Sequence, residues 1–277
     1  MFYLDGKEYK KLALHGGGTP MLGVYLGMFE NLKFDESILN IPFITSSAGT
    51  MAMMFFLMKK IMKNTDIKAV FSKIFSNFWE EIENVLSNFE QKGIISSKFI
   101  DNQISTECPS IYNITFKDLS ELYPKLDWTI CCSKYDNYEF SLTTYGPHTP
   151  DVKLWKACLA SMSVPIIFEP IEINGTLNCD GSLASWVKEL GLIDDQTVLH
   201  IGPSASCNQF EDTINTGVLL VDEFIRFASC SFMRMTRHPT PSHGVLRTEY
   251  NCSIAKDIFS EEYIESGKLI AEKFVLK

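Results

Sequence analysis

The fold is decided by one stretch of sequence, Ile41-Pro42-Phe43-Ile44-Thr45-Ser46-Ser47-Ala48-Gly49-Thr50. It begins as an apolar run of the length of a buried strand and ends in small residues. The apolar segment that follows, Met51 to Met58, has the length of a helix and is closed by Lys59-Lys60. This order predicts a strand, a sharp turn and a helix.

Ser47 lies at the predicted turn and is the candidate nucleophile. A serine there can project its hydroxyl from the carboxyl edge of a sheet, where the amides of the helix start point at the same spot. Gly49 fits this interpretation because a tight elbow brings the strand and helix backbones close together. The alternative interpretation of Ser47 is a simple helix N-cap.

The composition indicates one large globular unit. With 277 residues, 45% of them hydrophobic, the chain can bury one core, and we expect a single α/β domain over residues 1–277. Its motifs fall within residues 9–190, and residues 191–277 are expected to complete it with helices. The net charge of −9 argues against nucleic acid as a partner and against electrostatic anchoring to strongly anionic membranes. A neutral or interfacial substrate stays open.

The amino terminus lacks the basic start and apolar core of a secretory signal, which predicts an intracellular, cytoplasmic protein. The 8 cysteines form no C-x-x-C pair, so reduced thiols are expected rather than disulfides or a zinc site. The most apolar stretch, Met51 to Met58, is too short to span a membrane. No spacing of acidic residues or cysteines indicates a metal site, and no cofactor is expected.

A second strand, turn and helix come earlier in the chain. Tyr9 to Leu14 reads as a strand, His15-Gly16-Gly17-Gly18 as a turn, and Met21 to Leu32 as a helix. Consecutive glycines can direct several N–H groups toward one point, which makes a nest for an anion or for the oxyanion of an acyl-transfer intermediate. A phosphate-binding loop is the other possibility, although neither common phosphate-loop motif fits the sequence.

The segment from Asp66 to Gly93 has apolar residues at helical spacing, which predicts a long amphipathic helix or a kinked pair. Its expected role is to cover one face of the sheet, and the alternative is a lid or a lipid-facing surface. Further strands are predicted over Trp128 to Ser133, Tyr138 to Thr144 and Thr197 to Gly202. Further helices are predicted over Leu154 to Met162, Thr213 to Ala228 and Glu261 to Phe274.

A predicted hairpin precedes the candidate acidic residue. Its turn is Asn174-Gly175, the dipeptide best suited to a two-residue turn with positive φ at both positions. The second strand leads directly into Cys179-Asp180-Gly181-Ser182, so Asp180 is held at a strand end beside a glycine that permits a sharp exit. A plain turn residue is the alternative interpretation of Asp180.

The order and contexts of Gly16-Gly17-Gly18, Ser47 and Asp180-Gly181 resemble the patatin-like phospholipase family. The resemblance runs from Lys11 to about Val187 and includes the segment from Trp155 to Pro170. It implies a three-layer α/β/α fold with a largely parallel central sheet. It also implies roles for the motif residues: an oxyanion hole formed by Gly16, Gly17 and Gly18, a Ser-Asp dyad of Ser47 and Asp180, and structural support from Gly49 and Gly181.

The implied chemistry agrees with elementary reasoning about the residues. A serine hydroxyl needs a base to take its proton, and a desolvated carboxylate within hydrogen-bond reach can serve. Asp180 can therefore act without a histidine. The expected activity is that of a lipid acyl hydrolase, of the phospholipase A or lysophospholipase type and independent of calcium. The expected partner is a phospholipid or other lipid ester, with peripheral contact to a membrane surface.

Two other interpretations stay open. An α/β-hydrolase with a Ser-His-Asp triad is suggested by His15-Gly16-Gly17-Gly18, which matches an esterase oxyanion motif, with His200, His238 or His243 as the base. A non-enzymatic lipid-binding or interaction module is the second. Thr45 stands where the family motif G-x-S-x-G has its first glycine, and Thr19-Pro20-Met21 lacks the basic residue that usually follows the glycine turn.

Overall fold

A computed structural model of the protein describes residues 1–32, 36–63, 65–85, 95–136, 139–165, 167–203, 244–248 and 259–276. The strands are β1 (Phe2–Leu4), β2 (Lys7–Tyr9), β3 (Lys11–Leu14), β4 (Phe43–Ser46), β5 (Trp128–Asp136), β6 (Glu139–Tyr145), β7 (Ile171–Ile173), β8 (Thr176–Cys179), β9 (Val198–Gly202), β10 (Val245–Arg247) and β11 (Phe274–Leu276). The helices are α1 (Gly18–Asn31), α2 (Ala48–Ile61), α3 (Ile67–Val85), α4 (Ser97–Glu107), α5 (Pro109–Tyr112), α6 (Phe116–Leu122), α7 (Leu154–Met162), α8 (Trp186–Glu189) and α9 (Glu261–Glu272).

An eight-stranded sheet forms the centre of the molecule. Its order is β10-β9-β3-β4-β5-β8-β7, and β6 pairs with β5 outside this path. The strands from β10 to β5 pair in parallel, whereas the pairs β5–β6, β5–β8 and β7–β8 are antiparallel. The expected largely parallel sheet is therefore confirmed, with an antiparallel extension at one side.

Both faces of this sheet are covered. Leu12 and Leu14 of β3 belong to the large apolar core, whereas Ala13 between them belongs to a second, smaller cluster with Trp186 and Val187. Successive side chains of a strand point to opposite faces, so the two clusters lie on the two sides of the sheet. This arrangement confirms the three-layer α/β/α fold.

The two helices that follow β3 and β4 are buried on nearly all sides. Every residue from Thr19 to Phe29 in α1 and from Ala48 to Met58 in α2 is buried. A helix that is apolar all round belongs to the interior of a protein. Both helices begin directly after the turns that follow their strands, and α1 begins at Gly18, earlier than the predicted Met21.

Helix α3 packs its apolar face into the core, in agreement with its expected covering role. Ile67, Phe71, Ile74 and Phe78 are buried members of the large apolar cluster, at helical spacing. The predicted continuation to Gly93 and the predicted helix from Thr213 to Ala228 lie outside the described residues. Within the described ranges, no helix combines the length and the apolar character needed to cross a bilayer.

Two hairpins lie at the edges of the fold. The predicted hairpin β7–β8 is confirmed, with φ of 51° at Asn174 and 75° at Gly175. A second hairpin, β1–β2, turns through Asp5-Gly6 and pairs with β11, so the two ends of the described chain meet in a three-stranded sheet. No sequence pattern predicts this second hairpin, because its strands have only three residues each.

Candidate active site

Strand β5 brings the two candidate reactive residues together. Strand β6 pairs with β5 from Ile130 to Asp136 and so occupies one edge of it. Strands β4 and β8 share the other edge, with Ser46 opposite Cys131 and Cys179 opposite Ser133. Because β4 is parallel to β5 and β8 is antiparallel, their carboxyl ends run toward each other. Ser47 and Asp180, the next residues of the two strands, therefore emerge at the same level of the sheet.

Ser47 has an unusual backbone conformation. Its φ is 51° and its ψ is −119°, and it occupies the N-cap position of α2 without capping the helix through its side chain. A positive φ is costly for a residue with a Cβ and is found where the surrounding structure enforces it. The side chain is 8% exposed. The predicted sharp elbow is therefore present, and the side chain of Ser47 does not cap α2.

Asp180 is a fully buried carboxylate with 0% exposure. Burial raises its pKa to about 6, while hydrogen bonds from the Ser47 hydroxyl and from the amide and hydroxyl of Ser182 oppose the rise. The Ser182 amide lies 2.8 Å from Oδ1. Within the described part of the chain, Oδ2 has no partner in a fully formed hydrogen bond. Oδ2 therefore keeps its full capacity to accept a proton or a hydrogen bond.

The glycine turn lies against the nucleophile. A Cβ on Gly16 would lie 2.5 Å from Ser182 Oγ and 3.0 Å from Ser47 Cβ, so only glycine allows this approach. Gly17 and Gly18 have φ of 153° and 68°, in the region that favours glycine. No side chain caps the start of α1 at Gly17. Helix α1 therefore begins within two residues of the contact between Gly16 and Ser47, and the first amides of a helix favour a nearby anion.

The two supporting glycines lie where neighbouring elements come close. A Cβ on Gly49 would overlap the carbonyl group of Leu14 in β3. A Cβ on Gly181 would overlap the carbonyl oxygen of Cys131 in β5. Gly49 therefore allows α2 to begin against the sheet, and Gly181 allows the chain to leave β8 across β5.

Of the three candidate histidines of a triad, His200 lies in the described part of the chain, and its ring is hydrogen-bonded to that of His15. His200 Nδ1 lies 3.0 Å from His15 Nε2, so the two rings hydrogen-bond to each other. Burial lowers the pKa of His15 to about 3 and that of His200 to about 4. Both imidazoles are therefore neutral at pH 7. His238 and His243 lie outside the described residues.

Three residues that sequence reasoning gave no role hold the reactive pair in place. The amide of Ser47 donates to Ser161 Oγ over 3.0 Å. The amide of Asp180 donates to the carbonyl oxygen of Ser163, and its own carbonyl oxygen accepts from the Ser133 hydroxyl over 2.7 Å. A buried hydroxyl in an otherwise apolar helix was the available signal for Ser161, whereas Ser163 acts through its backbone and offered none.

An apolar cavity runs along α2 away from Ser47. It lies between side chains of α2, α3, α4 and α7 and is partly open to solvent. Met51, Met54 and Met58 line it from α2, and Trp155 and Leu159 line it from α7. Two of the helices that line the cavity have one end at Ser47, since α2 begins at the elbow and Ser161 near the end of α7 accepts from the Ser47 amide. In the described ranges, no three His, Cys, Asp or Glu side chains are grouped so that they could hold a metal ion.

Comparison with known proteins shows which family and which solved structures the chain is similar to. The family model described as "Patatin-like phospholipase" matches residues 12–188. No curated protein sequence matches the chain. Among solved structures, VipD from Legionella pneumophila aligns with 97% of this chain and 66% of its own, at 16% identity and a TM-score of 0.50. The ExoU–SpcU complex from the type III secretion system of Pseudomonas aeruginosa aligns with 96% of this chain and 51% of its own, at 16% identity and a TM-score of 0.41. The chain is thus shorter than both.

Proposed function

The chain belongs to the patatin-like phospholipase family, and from this premise we propose that it is a lipid acyl hydrolase with Ser47 as nucleophile and Asp180 as general base. The observation that carries the proposal is the buried carboxylate of Asp180. Its pKa, raised to about 6 by burial, makes it a better proton acceptor than an ordinary aspartate, and it interacts with the Ser47 hydroxyl.

The first half of the reaction forms an acyl-enzyme. As Ser47 Oγ attacks the carbonyl carbon of the ester, its proton passes to the carboxylate of Asp180. The carbonyl oxygen becomes an oxyanion beside Gly16, Gly17 and Gly18, whose amides stabilise it. Each such donor contributes roughly 3 kcal/mol to the transition state. The intermediate collapses, Asp180 returns the proton to the departing alcohol, and the acyl group stays on Ser47.

The second half releases the acyl group. A water molecule gives a proton to Asp180 while its oxygen attacks the acyl carbon, and the same glycine amides hold the second oxyanion. Collapse of this intermediate breaks the bond to Ser47 Oγ, which takes the proton back from Asp180. One carboxylate therefore serves both steps, and histidine is not required.

The cavity along α2 supports a substrate with an apolar acyl chain. An ester carbonyl at Ser47 Oγ would allow the chain to extend between Met51, Met54 and Leu159. The net charge of −9 and the missing basic residue in Thr19-Pro20-Met21 favour a neutral or zwitterionic headgroup over an anionic one. The substrate would then be a glycerophospholipid or lysophospholipid, taken up at a membrane surface.

The test measures fatty acid released from phosphatidylcholine vesicles and from lysophosphatidylcholine micelles, with and without a calcium chelator. We expect release by the parent, unaffected by chelation, and none by Ser47→Ala. A fluorophosphonate should modify the parent on Ser47 and leave the variant unmodified. A folded parent that neither releases fatty acid nor reacts with the probe would contradict the proposal and favour a binding or interaction module.

A further inference from the structure

A chain of buried hydroxyl groups runs beneath the nucleophile. The indole N–H of Trp128 lies 2.8 Å from Thr45 Oγ1, and Thr45 Oγ1 lies 2.8 Å from Thr50 Oγ1. Thr50 Oγ1 lies 3.1 Å from Ser161 Oγ, which lies 2.6 Å from the carbonyl oxygen of Cys131. The three hydroxyl side chains are all fully buried.

The direction of every bond in this chain follows from counting protons. A carbonyl oxygen only accepts, so the Ser161 hydroxyl must donate its single proton to Cys131. Thr50 must then donate to Ser161, and Thr45 must donate to Thr50. The indole of Trp128 is only a donor and begins the chain. Each of the three hydroxyl groups therefore donates one hydrogen bond and accepts at least one, so the buried polar groups satisfy one another.

Ser161 differs from the other members of the chain because it accepts a second bond. The amide of Ser47 donates to the remaining lone pair of Ser161 Oγ over 3.0 Å. The nucleophile is thus tied to β5 through one side chain, since Ser161 also bonds to the carbonyl group of Cys131. The positive φ of Ser47 needs such an external restraint, because its own conformational preference opposes it.

The same end of α7 also fixes the second reactive residue. The amide of Asp180 donates to the carbonyl oxygen of Ser163 over 2.9 Å, two positions after Ser161. One short segment of chain therefore holds the backbones of both residues of the dyad. A displacement of this segment would move the two backbones together, whereas the loss of the Ser161 hydroxyl would free only Ser47.

We propose that Ser161 is a positioning residue for catalysis, whose hydroxyl fixes the Ser47 backbone relative to Asp180, with Thr45 and Thr50 fixing that hydroxyl in turn. The inference rests on the proposed acyl hydrolase function. It also assigns a purpose to Thr45, which stands where the family motif has glycine. Ser161 touches neither the reacting atoms nor the carboxylate, so its effect on the reaction passes through Ser47.

The experiment compares Ser161→Ala with the parent in hydrolysis of a soluble short-chain ester. The concentration of active sites is measured by titration with a fluorophosphonate, so that kcat is given per active site. We expect kcat to fall by about 100-fold, the loss typical of a displaced reacting group, with KM nearly unchanged. The pH midpoint of kcat/KM should stay at its parental value because Asp180 keeps its surroundings. Ser161→Thr, which retains the hydroxyl, should recover most of the loss. Ser120→Ala, which removes a hydroxyl bonded to the Phe116 carbonyl oxygen within α6, is the control with parental kcat.

Hydrogen exchange at the Ser47 amide supplies a measurement that does not depend on turnover. It should accelerate in Ser161→Ala and return to the parental rate in Ser161→Thr. If Ser161→Ala fails to fold, Ser161→Cys replaces it with the same expected loss, since a thiol is a weak acceptor. Parental kcat in a folded Ala or Cys variant would overturn the inference while leaving the proposed function intact. A folded parent without any reaction at Ser47 would overturn both.

Discussion

At the scale of the residue, Ser47 combines a reactive hydroxyl with a backbone that its side chain disfavours. The φ of 51° is readily adopted by glycine and costs other residues about 1 kcal/mol or more. We therefore expect Ser47→Gly and Ser47→Ala both to be inactive, with the glycine variant more stable than the alanine variant by about 1 kcal/mol. Urea unfolding of the two variants measures the difference. Equal midpoints would mean that the elbow is not strained.

The pKa of Asp180 predicts the pH dependence of activity. The base must be ionised, so kcat/KM should fall as the pH decreases and reach half its maximum near pH 6. The pKa values of His15 and His200, lowered to about 3 and about 4, place their titration below this range. His200→Gln should accordingly keep the same midpoint and a kcat within about tenfold of the parent. A folded His200→Gln variant without turnover would favour the triad.

The same pKa also predicts an effect on stability. The folded protein holds a proton on Asp180 up to a higher pH than the unfolded chain, so stability is lost as the pH rises from about 4 to about 6. At pH 8, Asp180→Asn should be inactive yet more stable than the parent, by at most roughly 3 kcal/mol at ~1.4 kcal/mol per pKa unit. Below pH 4 the gain should disappear.

For Asp195, whose pKa is lowered, the expected effect of pH on the free energy of unfolding has the opposite sign. The hydroxyl of Thr197 lowers the pKa of Asp195 by hydrogen bonding, so the ionised form of Asp195 stabilises the folded protein above pH 4. Asp195→Asn should therefore lose stability at pH 8. Denaturant unfolding at pH 8 and pH 4 separates the two variants, and a loss of stability in Asp180→Asn at pH 8 would contradict the assignment of a raised pKa.

The candidate reactive residues were accessible from the sequence, whereas the residues that support them were not. Ser47 and Asp180 each follow a recognisable local pattern, an elbow and a hairpin end. The role of Ser161 depends on a bond to Ser47, which is 114 positions away in the chain. Thr45 stands where the family motif has its first glycine, and its hydroxyl is bonded to Trp128 and Thr50. Local patterns carry no information about such contacts.

At the scale of the element, the faces of α2 and α7 that line the cavity predict that activity depends on the length of the substrate's acyl chain. Replacing Met54 by tryptophan would fill space beside Leu159 that a long acyl chain would occupy. We expect Met54→Trp to lower hydrolysis of a palmitoyl ester at least tenfold relative to a butyryl ester, and Met54→Leu, of similar volume, to leave the ratio unchanged. An equal loss on both esters would place the acyl chain elsewhere.

Elements with a strong local signal were predicted well. The elbow, the buried helix α2 and the hairpin β7–β8 have sequence patterns that leave few alternatives. Strand β5 was predicted to end at Ser133 but continues to Asp136, because its pairing with β6 stabilises residues that lack a strand pattern of their own. Strands β10 and β11 were not predicted, since each depends on partners that are distant in the sequence.

At the scale of the whole molecule, the depth of the core predicts the behaviour of the thiols. Burial raises the pKa of Cys108 to about 11 and that of Cys179 to about 12, and it raises the pKa values of Cys131, Cys132 and Cys158 as well. Thiolates rather than thiols react with alkylating agents. We expect these five cysteines to resist iodoacetamide at pH 8 in the native protein and to react in guanidinium chloride. Peptide mass spectrometry identifies which cysteines are alkylated. Rapid labelling of any of the five in the native protein would contradict the prediction.

The fold class of the protein was predicted, whereas the order of the strands in the sheet was not. The resemblance to the patatin-like phospholipase family implied a three-layer fold with a largely parallel sheet, and the sheet has this form. The sharing of one edge of β5 by β4 and β8 is set by pairing between strands whose residues lie far apart in the chain. This is the arrangement that brings Ser47 to Asp180, and no local pattern specifies it.

Because β4 and β8 share one edge of β5, the site depends on the number of β5 residues between the two pairings. Only Cys132 lies between the residue of β5 that faces Ser46 and the one that faces Cys179. Inserting or deleting one residue there would turn the following side chains of β5 to the opposite face of the sheet and shift the hairpin by about 3.4 Å. A one-residue change in length is tolerated in many surface loops, but at this point of β5 it would separate Ser47 from Asp180.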